Sequence, residues 1–243
     1  MKAYWNSNFS LAFEYSGRQE ATMPMPLCRP LTSLALALLV AGISGCSDAP
    51  SNLDVKRRAS FNTGIAKQKT GDHKGAILDF TNSLKVNHSN GRAFYNRAFS
   101  KFEIKDYEGA ITDYGFAIMM NPDRAEAYAN RGFTRNLVND YQGAITDFTK
   151  AVELHSQDSF SYRNRGAAKH ELKDYQGAIA DFNTAIAINP QDLHSFNERG
   201  RVKFDLNDMK GACADFKKAV SLGNKVTMEW FDSERSTWCR NMQ

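Results

Sequence analysis

One pattern returns every 34 residues through most of this 243-residue chain. Gly-Ala-Ile begins at Gly75, Gly109, Gly143 and Gly177, and Gly211-Ala212-Cys213 continues the series. Four residues after each glycine stands an aspartate, at Asp79, Asp113, Asp147, Asp181 and Asp215, and an aromatic follows each one, at Phe80, Tyr114, Phe148, Phe182 and Phe216. Upstream, an aromatic opens four of the units (Phe94, Tyr128, Tyr162, Phe196), and an arginine follows three residues later (Arg97, Arg131, Arg165, Arg199). Asn-Pro closes two units, at Asn121-Pro122 and Asn189-Pro190. A fixed period of this length constrains the fold more than any composition does. It demands copies of one supersecondary unit, each too small to bury both of its faces alone and so stacked on its neighbours.

Within a unit the apolar and small residues recur at helical spacing. In the fourth, Tyr162, Gly166, Lys169 and Leu172 fall on one stripe, and Ala178, Phe182, Ala185 and Ile186 on another. Two such segments form an antiparallel helical hairpin, with Gly166 and Ala178 allowing close approach. The unit resembles the tetratricopeptide repeat (TPR) family, which has 34 residues, an early aromatic, small residues in both helices, a later aromatic and a closing proline. The resemblance implies an all-α TPR superhelix, an α-solenoid of five helix-turn-helix repeats over 57–224, starting near 57, 91, 125, 159 and 193. Repeat one is degenerate, with Ser60 and Thr63 in place of the early aromatic and the arginine. Residues 225–243, with Val226, Trp230, Phe231 and Trp238 at rough helical spacing, are expected to form one C-terminal capping helix.

The first fifty residues follow different rules. Leu31 to Ser44 carries no charge, follows Arg29, and exits through small residues to Cys46. That apolar run is shorter than the ~20 residues a spanning helix needs, and it has the form of a secretory signal peptide. Ile43-Ser44-Gly45-Cys46 resembles the lipobox of bacterial lipoproteins. The resemblance implies a signal peptide over 23–45, lipidation of Cys46 and a flexible tether over 46–56. Ser47 after the cysteine, by the sorting rule of enteric bacteria, implies the outer membrane facing the periplasm. Residues 1–22 are expected to be an N-terminal extension ahead of a true start at Met23 or Met25.

Cys28 would leave with the signal peptide, so Cys213 and Cys239 are the remaining thiols. In an oxidising compartment they make a disulfide expected between repeat five and the cap. Bacterial TPR proteins with a similar final repeat point the same way. The alternative, one buried and one free thiol, stays open.

Three polar ladders run through the repeats: Arg97, Arg131, Arg165 and Arg199; then Lys67, Lys101, Arg135, Lys169 and Lys203; and the five aspartates. In the family these positions face one another within a unit, which implies a structural ion-pair ladder. The first helices of the family line a concave surface. There the resemblance places Phe61, Asn62, Tyr95, Asn96, Phe99, Phe102, Asn130 and Phe133 in an apolar N-terminal half. Arg163, Asn164, His170, Asn197, Arg201 and Asp205 fall in a polar C-terminal half. Aromatics that anchor a partner peptide and aromatics that pack between adjacent first helices remain two open interpretations. The carboxylate clamp of chaperone-tail binders is not expected, because Phe61 with Ile65, Tyr95 with Phe99, and Ala129 with Phe133 stand where it needs lysine and asparagine.

No phosphate loop, HExxH, CxxC or GxSxG occurs, and five histidines share no ligand spacing, so no enzyme, cofactor, metal or small-molecule substrate is expected. A net charge of +4 gives no case for nucleic acid. The expected function is a lipid-anchored adaptor that binds a protein or peptide. A self-assembling repeat oligomer and a soluble secreted repeat protein are the alternatives.

Overall fold

The computed structural model describes residues 52–232 and 237–240, all within one compact unit, Asp48–Gln243. The expected extension at 1–22, the signal segment at 23–45 and Cys46 lie outside the described residues. Regular structure among the described residues is helical, and ten helices pair into five hairpins: α1 (Asn52–Lys69) with α2 (His73–Val86), α3 (Gly91–Glu103) with α4 (Tyr107–Met120), α5 (Ala125–Leu137) with α6 (Tyr141–Leu154), α7 (Ser159–Glu171) with α8 (Tyr175–Ile188), and α9 (Leu193–Asp205) with α10 (Met209–Ser221). Each second helix also packs on the first helix of the next hairpin. Helix α1 begins at Asn52, so 52–56, expected as tether, are helical.

The repeated glycine has a local cause. Asp72, Asp106, Asp140, Asp174 and Asp208 are the N-caps of the second helices, and each side chain accepts a hydrogen bond from the amide of Gly75, Gly109, Gly143, Gly177 or Gly211, at 2.9–3.1 Å. The cap satisfies an amide that the helix leaves unpaired. A β-carbon on any of these glycines would overlap the capping carboxylate. Ahead of each cap, one residue takes a left-handed φ: Gly71, Lys105, Asn139, Lys173 or Asn207.

Inside each hairpin the recurrent alanine and aromatic make the core. Ala76, Ala110, Ala144, Ala178 and Ala212 are fully buried, as are Phe80, Tyr114, Phe148 and Phe182, with Phe216 close behind. Burying one such ring contributes about 1.5–3 kcal/mol. Gly166 opposes Ala178 and Phe182 so closely that a β-carbon would lie 3.1–3.2 Å from them, which explains the small residue. Leu172, expected on the packing stripe of this repeat, is instead the C-cap of α7 and is exposed.

The ladders meet in the second helices. Arg97, Arg131, Arg165 and Arg199 each donate through Nε and Nη2 to both oxygens of Asp113, Asp147, Asp181 and Asp215, at 2.5–2.9 Å. Lys101, Arg135, Lys169 and Lys203 add a second cation to the same aspartates at 2.7–2.8 Å. Each guanidinium also lies over the opening aromatic of its repeat, Phe94, Tyr128, Tyr162 or Phe196, at 5.3–5.8 Å. Three of the arginines reach back to the preceding repeat: Arg97 to Thr81, Arg165 to Thr149 and Arg199 to Asn183. Gly115 holds the equivalent place before Arg131 and offers no side chain.

The ends are closed differently. Beyond repeat five the expected single helix is two short ones, α11 (Lys225–Asp232) and α12 (Thr237–Arg240). Trp238 of α12 packs on Phe204 of α9 at 5.8 Å, and Cys239 is joined by a disulfide to Cys213 of α10, their Cα atoms 5.3 Å apart. Thr227 donates to Asn197 at 2.6 Å, holding α11 to α9. At the other end Asp79 has, among the described residues, only Lys67 at 2.9 Å, the lysine side chain 40% exposed.

The two kinds of aspartate should behave differently in urea unfolding. Asp147→Ala strands two arginines beside a dry site and is expected to cost about 3 kcal/mol. Asp79→Ala breaks a half-exposed pair and should cost about 1 kcal/mol or less. Equal losses would refute the ladder as the register device of the inner repeats.

Candidate functional site

The first helices α1, α3, α5, α7 and α9 stand side by side, successive ones touching, and the residues expected to meet a partner all lie on them. Neighbouring helices decide which remain accessible. Phe61 is half-buried, its ring 5.7 Å from Phe80 and under the Arg92 guanidinium at 5.6 Å. Asn62 is exposed. Phe99 is half-buried and meets His73 edge-on at 6.2 Å. Asn96 is half-buried; its amide turns back to the Arg92 carbonyl at 2.8 Å. Ile65 is also half-buried on α1, and Arg92, which the sequence did not single out, is exposed over the Phe61 ring.

Tyr95 is half-buried, with Arg124 stacked 3.7 Å over its ring and Asn130 donating to its hydroxyl at 2.8 Å. Burial holds its phenol above the usual range. Phe102 packs between Tyr107 and Phe133 at 5.6–5.8 Å.

Most of the remaining expected contacts are corrected by the structure, because their side chains are buried. Phe133 is 3% exposed, closed in by Phe102 and Phe160. Asn130 is buried by its bond to Tyr95. Asn164 is buried, donating to the Phe160 carbonyl at 2.8 Å while its own carbonyl accepts from Asn136 at 3.2 Å. Arg163 is spent on the buried Asp192, both carboxylate oxygens lying 2.9–3.0 Å from Nη1. His170 is buried against Asp205 at 2.6 Å and Tyr175. Asn197 accepts from Thr227 and is buried too. Arg201 keeps a 40% exposed side chain but pairs with Glu198 at 2.7 Å. The polar half is therefore mostly inter-repeat mortar, because each first helix is covered on one flank by the next.

The 34-residue register of Gln68, Phe102, Asn136 and His170 could have exposed this. Gln68 and Asn136 each reach 28 residues forward, to the carbonyls of Asn96 and Asn164 at 3.0 and 3.2 Å, while in the same register Phe102 meets the Phe133 ring and His170 meets Asp205. One register position thus serves as the seam between first helices.

A family model for the tetratricopeptide repeat matches residues 159–192, the fourth hairpin. No curated protein sequence matches the chain. Among solved structures, the chain is similar to MamA, at 21% identity and a TM-score of 0.66, over 71% of this chain and 94% of that one. It is also similar to YrrB, described as a TPR protein with an unusual peptide-binding site, at 14% identity and a TM-score of 0.64, over 72% and 91%. The third is PilF of Pseudomonas aeruginosa, at 16% identity and a TM-score of 0.61, over 78% and 90%.

His194 sits beside the Arg163–Asp192 seam, and burial first, then Arg163, push its imidazole down. A depressed folded value means the folded chain binds fewer protons than the unfolded one as pH falls below about 6.5, so stability is lost in that window and is fully present above it. His194→Gln should flatten that acid-side loss in urea titrations at pH values either side of the imidazole range. An unchanged pH profile would refute the assignment.

Proposed function

We propose, from the premise that this chain is a tetratricopeptide-repeat protein, that it is a non-enzymatic adaptor which holds a peptide segment of a partner protein against the N-terminal half of its first helices. The observation that carries this is that Phe61, Ile65 and Phe99, on the adjacent helices α1 and α3, are all half-buried, while Asn62 and Arg92 are exposed and Arg92 lies over the Phe61 ring. Aromatic rings left partly open inside a polar border are how anchor sites for peptides are built. The likeness to YrrB, whose description names a peptide-binding site, supports a peptide as the ligand. The C-terminal half contributes rigidity, since its polar groups are committed to one another.

The lipobox-like Ile43-Ser44-Gly45-Cys46 supports a location: the adaptor is tethered through lipidated Cys46 in the bacterial envelope, on the periplasmic side of the outer membrane. The acyl chains would bury in one leaflet, and more than one is needed for stable anchoring.

Two measurements test these parts separately. Crosslinking pull-down with the Phe61→Ala/Phe99→Ala chain should recover the partner at least about tenfold less well than wild type, as loss of a hot-spot pair implies; capture unchanged would defeat the groove. Phe133→Ala serves as the contrast, because it opens a cavity costing about 3 kcal/mol without touching the open cluster. Metabolic palmitate labelling should mark the wild type and vanish in Cys46→Ala, and an unlabelled wild type would defeat the anchor.

A further inference from the structure

The net charge of this chain is not spread along it. Residues 57–90 hold six basic side chains against two acidic ones, whereas 91–224 hold eighteen of each. The neutrality of the later repeats follows from their construction. A complete repeat needs two cations for the ladder and two carboxylates, one in the ladder and one at the helix cap. Repeat one needs only Lys67, Asp72 and Asp79 by the same rule, so its other basic residues are surplus to folding.

Two of the surplus residues share a face of α2 with an apolar one. Lys74, Leu78 and Lys85 are spaced four and seven residues apart and all three are exposed, Leu78 at 59%. The next second helix, α4, continues the face: Met119 stands 34 residues after Lys85, in the same register, and is 67% exposed, with Phe116 and Met120 each 41% exposed beside it. In the remaining second helices the register of Met119 carries Glu153, Ala187 and Ser221, that of Phe116 carries Lys150, Thr184 and Lys218, and that of Leu78 carries Thr146, Ala180 and Ala214. Repeats one and two alone therefore present large apolar side chains here. Glu108 is the one acidic group among the exposed residues of α2 and α4.

We infer that this α2–α4 face is a docking surface for an anionic lipid bilayer, with Lys74 and Lys85 at the phosphate level and Leu78, Phe116 and Met119 inserted among the headgroups. Exposed apolar side chains flanked by lysines and poor in acidic groups fit an interfacial surface. The choice of a bilayer over an acidic protein rests on the anchor proposed above. Cys46 precedes Asn52 by six residues, so a lipid there would hold the start of α1 within about 20 Å of the headgroups. Repeat one is then the repeat that meets the membrane, and the solenoid is oriented as well as tethered.

Footprinting of the full chain on vesicles tests this. On phosphatidylglycerol-containing vesicles, Lys74 and Lys85 should acetylate, and Met119 oxidise, at least about fivefold more slowly than on phosphatidylcholine alone. Lys210 and Met228, near the other end, should not change between the two. In the Lys74→Glu/Lys85→Glu chain the protection of Met119 should vanish. Uniform reactivity on both vesicles, or protection of Met119 that survives the charge reversal, would overturn the surface. So would protection at Lys74 and Lys85 by an acidic polypeptide or a DNA duplex with none on vesicles. Protection on the anionic vesicles in a chain that palmitate does not label would uphold this surface while defeating the anchor.

Discussion

A carboxylate buried in the second helix of repeats two to five sets the terms for the rest of the solenoid. Asp113, Asp147, Asp181 and Asp215 are at most 4% exposed, and an unpaired charge so dry would be prohibitive. Each is matched by a two-pronged arginine and a second cation from the first helix of its own hairpin. A slip of one residue along either helix would strand all three groups, so the network fixes register where alanine and phenylalanine contacts alone would tolerate sliding. The same guanidinium continues into the preceding hairpin through Thr81, Thr149 or Asn183, which ties the fold of one unit to the placement of the next.

The period, the hairpins and the ladder were legible in the sequence because each is a local pattern repeated at fixed spacing. The cap was legible too, though easily missed: aspartate three residues before glycine occurs five times, and its meaning is a carboxylate lying over a residue that has no room for a side chain. The groove was less legible. Asn130, Phe133 and Asn164 occupy positions that an isolated first helix would present to a ligand, yet the adjacent first helix covers them. Burial there depends on what residues 28 to 35 further on bring to the seam, as Gln68 to Asn96, Asn136 to Asn164 and His170 to Asp205 show. Single-helix periodicity cannot contain that information.

The two ends also bear on whether copies of the chain stack. End-to-end assembly of a solenoid needs an open apolar face at one end that fits the face at the other. At the C-terminal end the flank of repeat five is occupied, by α11 through Thr227 and Asn197 and by α12 through a covalent bond. At the N-terminal end α1, at 18 residues, outruns the 13 or 14 of the other first and second helices, and its exposed side chains include Lys56, Arg58, Asn62 and Lys69. The two ends therefore differ in character: exposed cations beside exposed Val55 at one, a disulfide-stapled helix at the other. The proposed peptide site on α1 and α3 and the proposed bilayer face on α2 and α4 lie on different helices, so neither competes with the other.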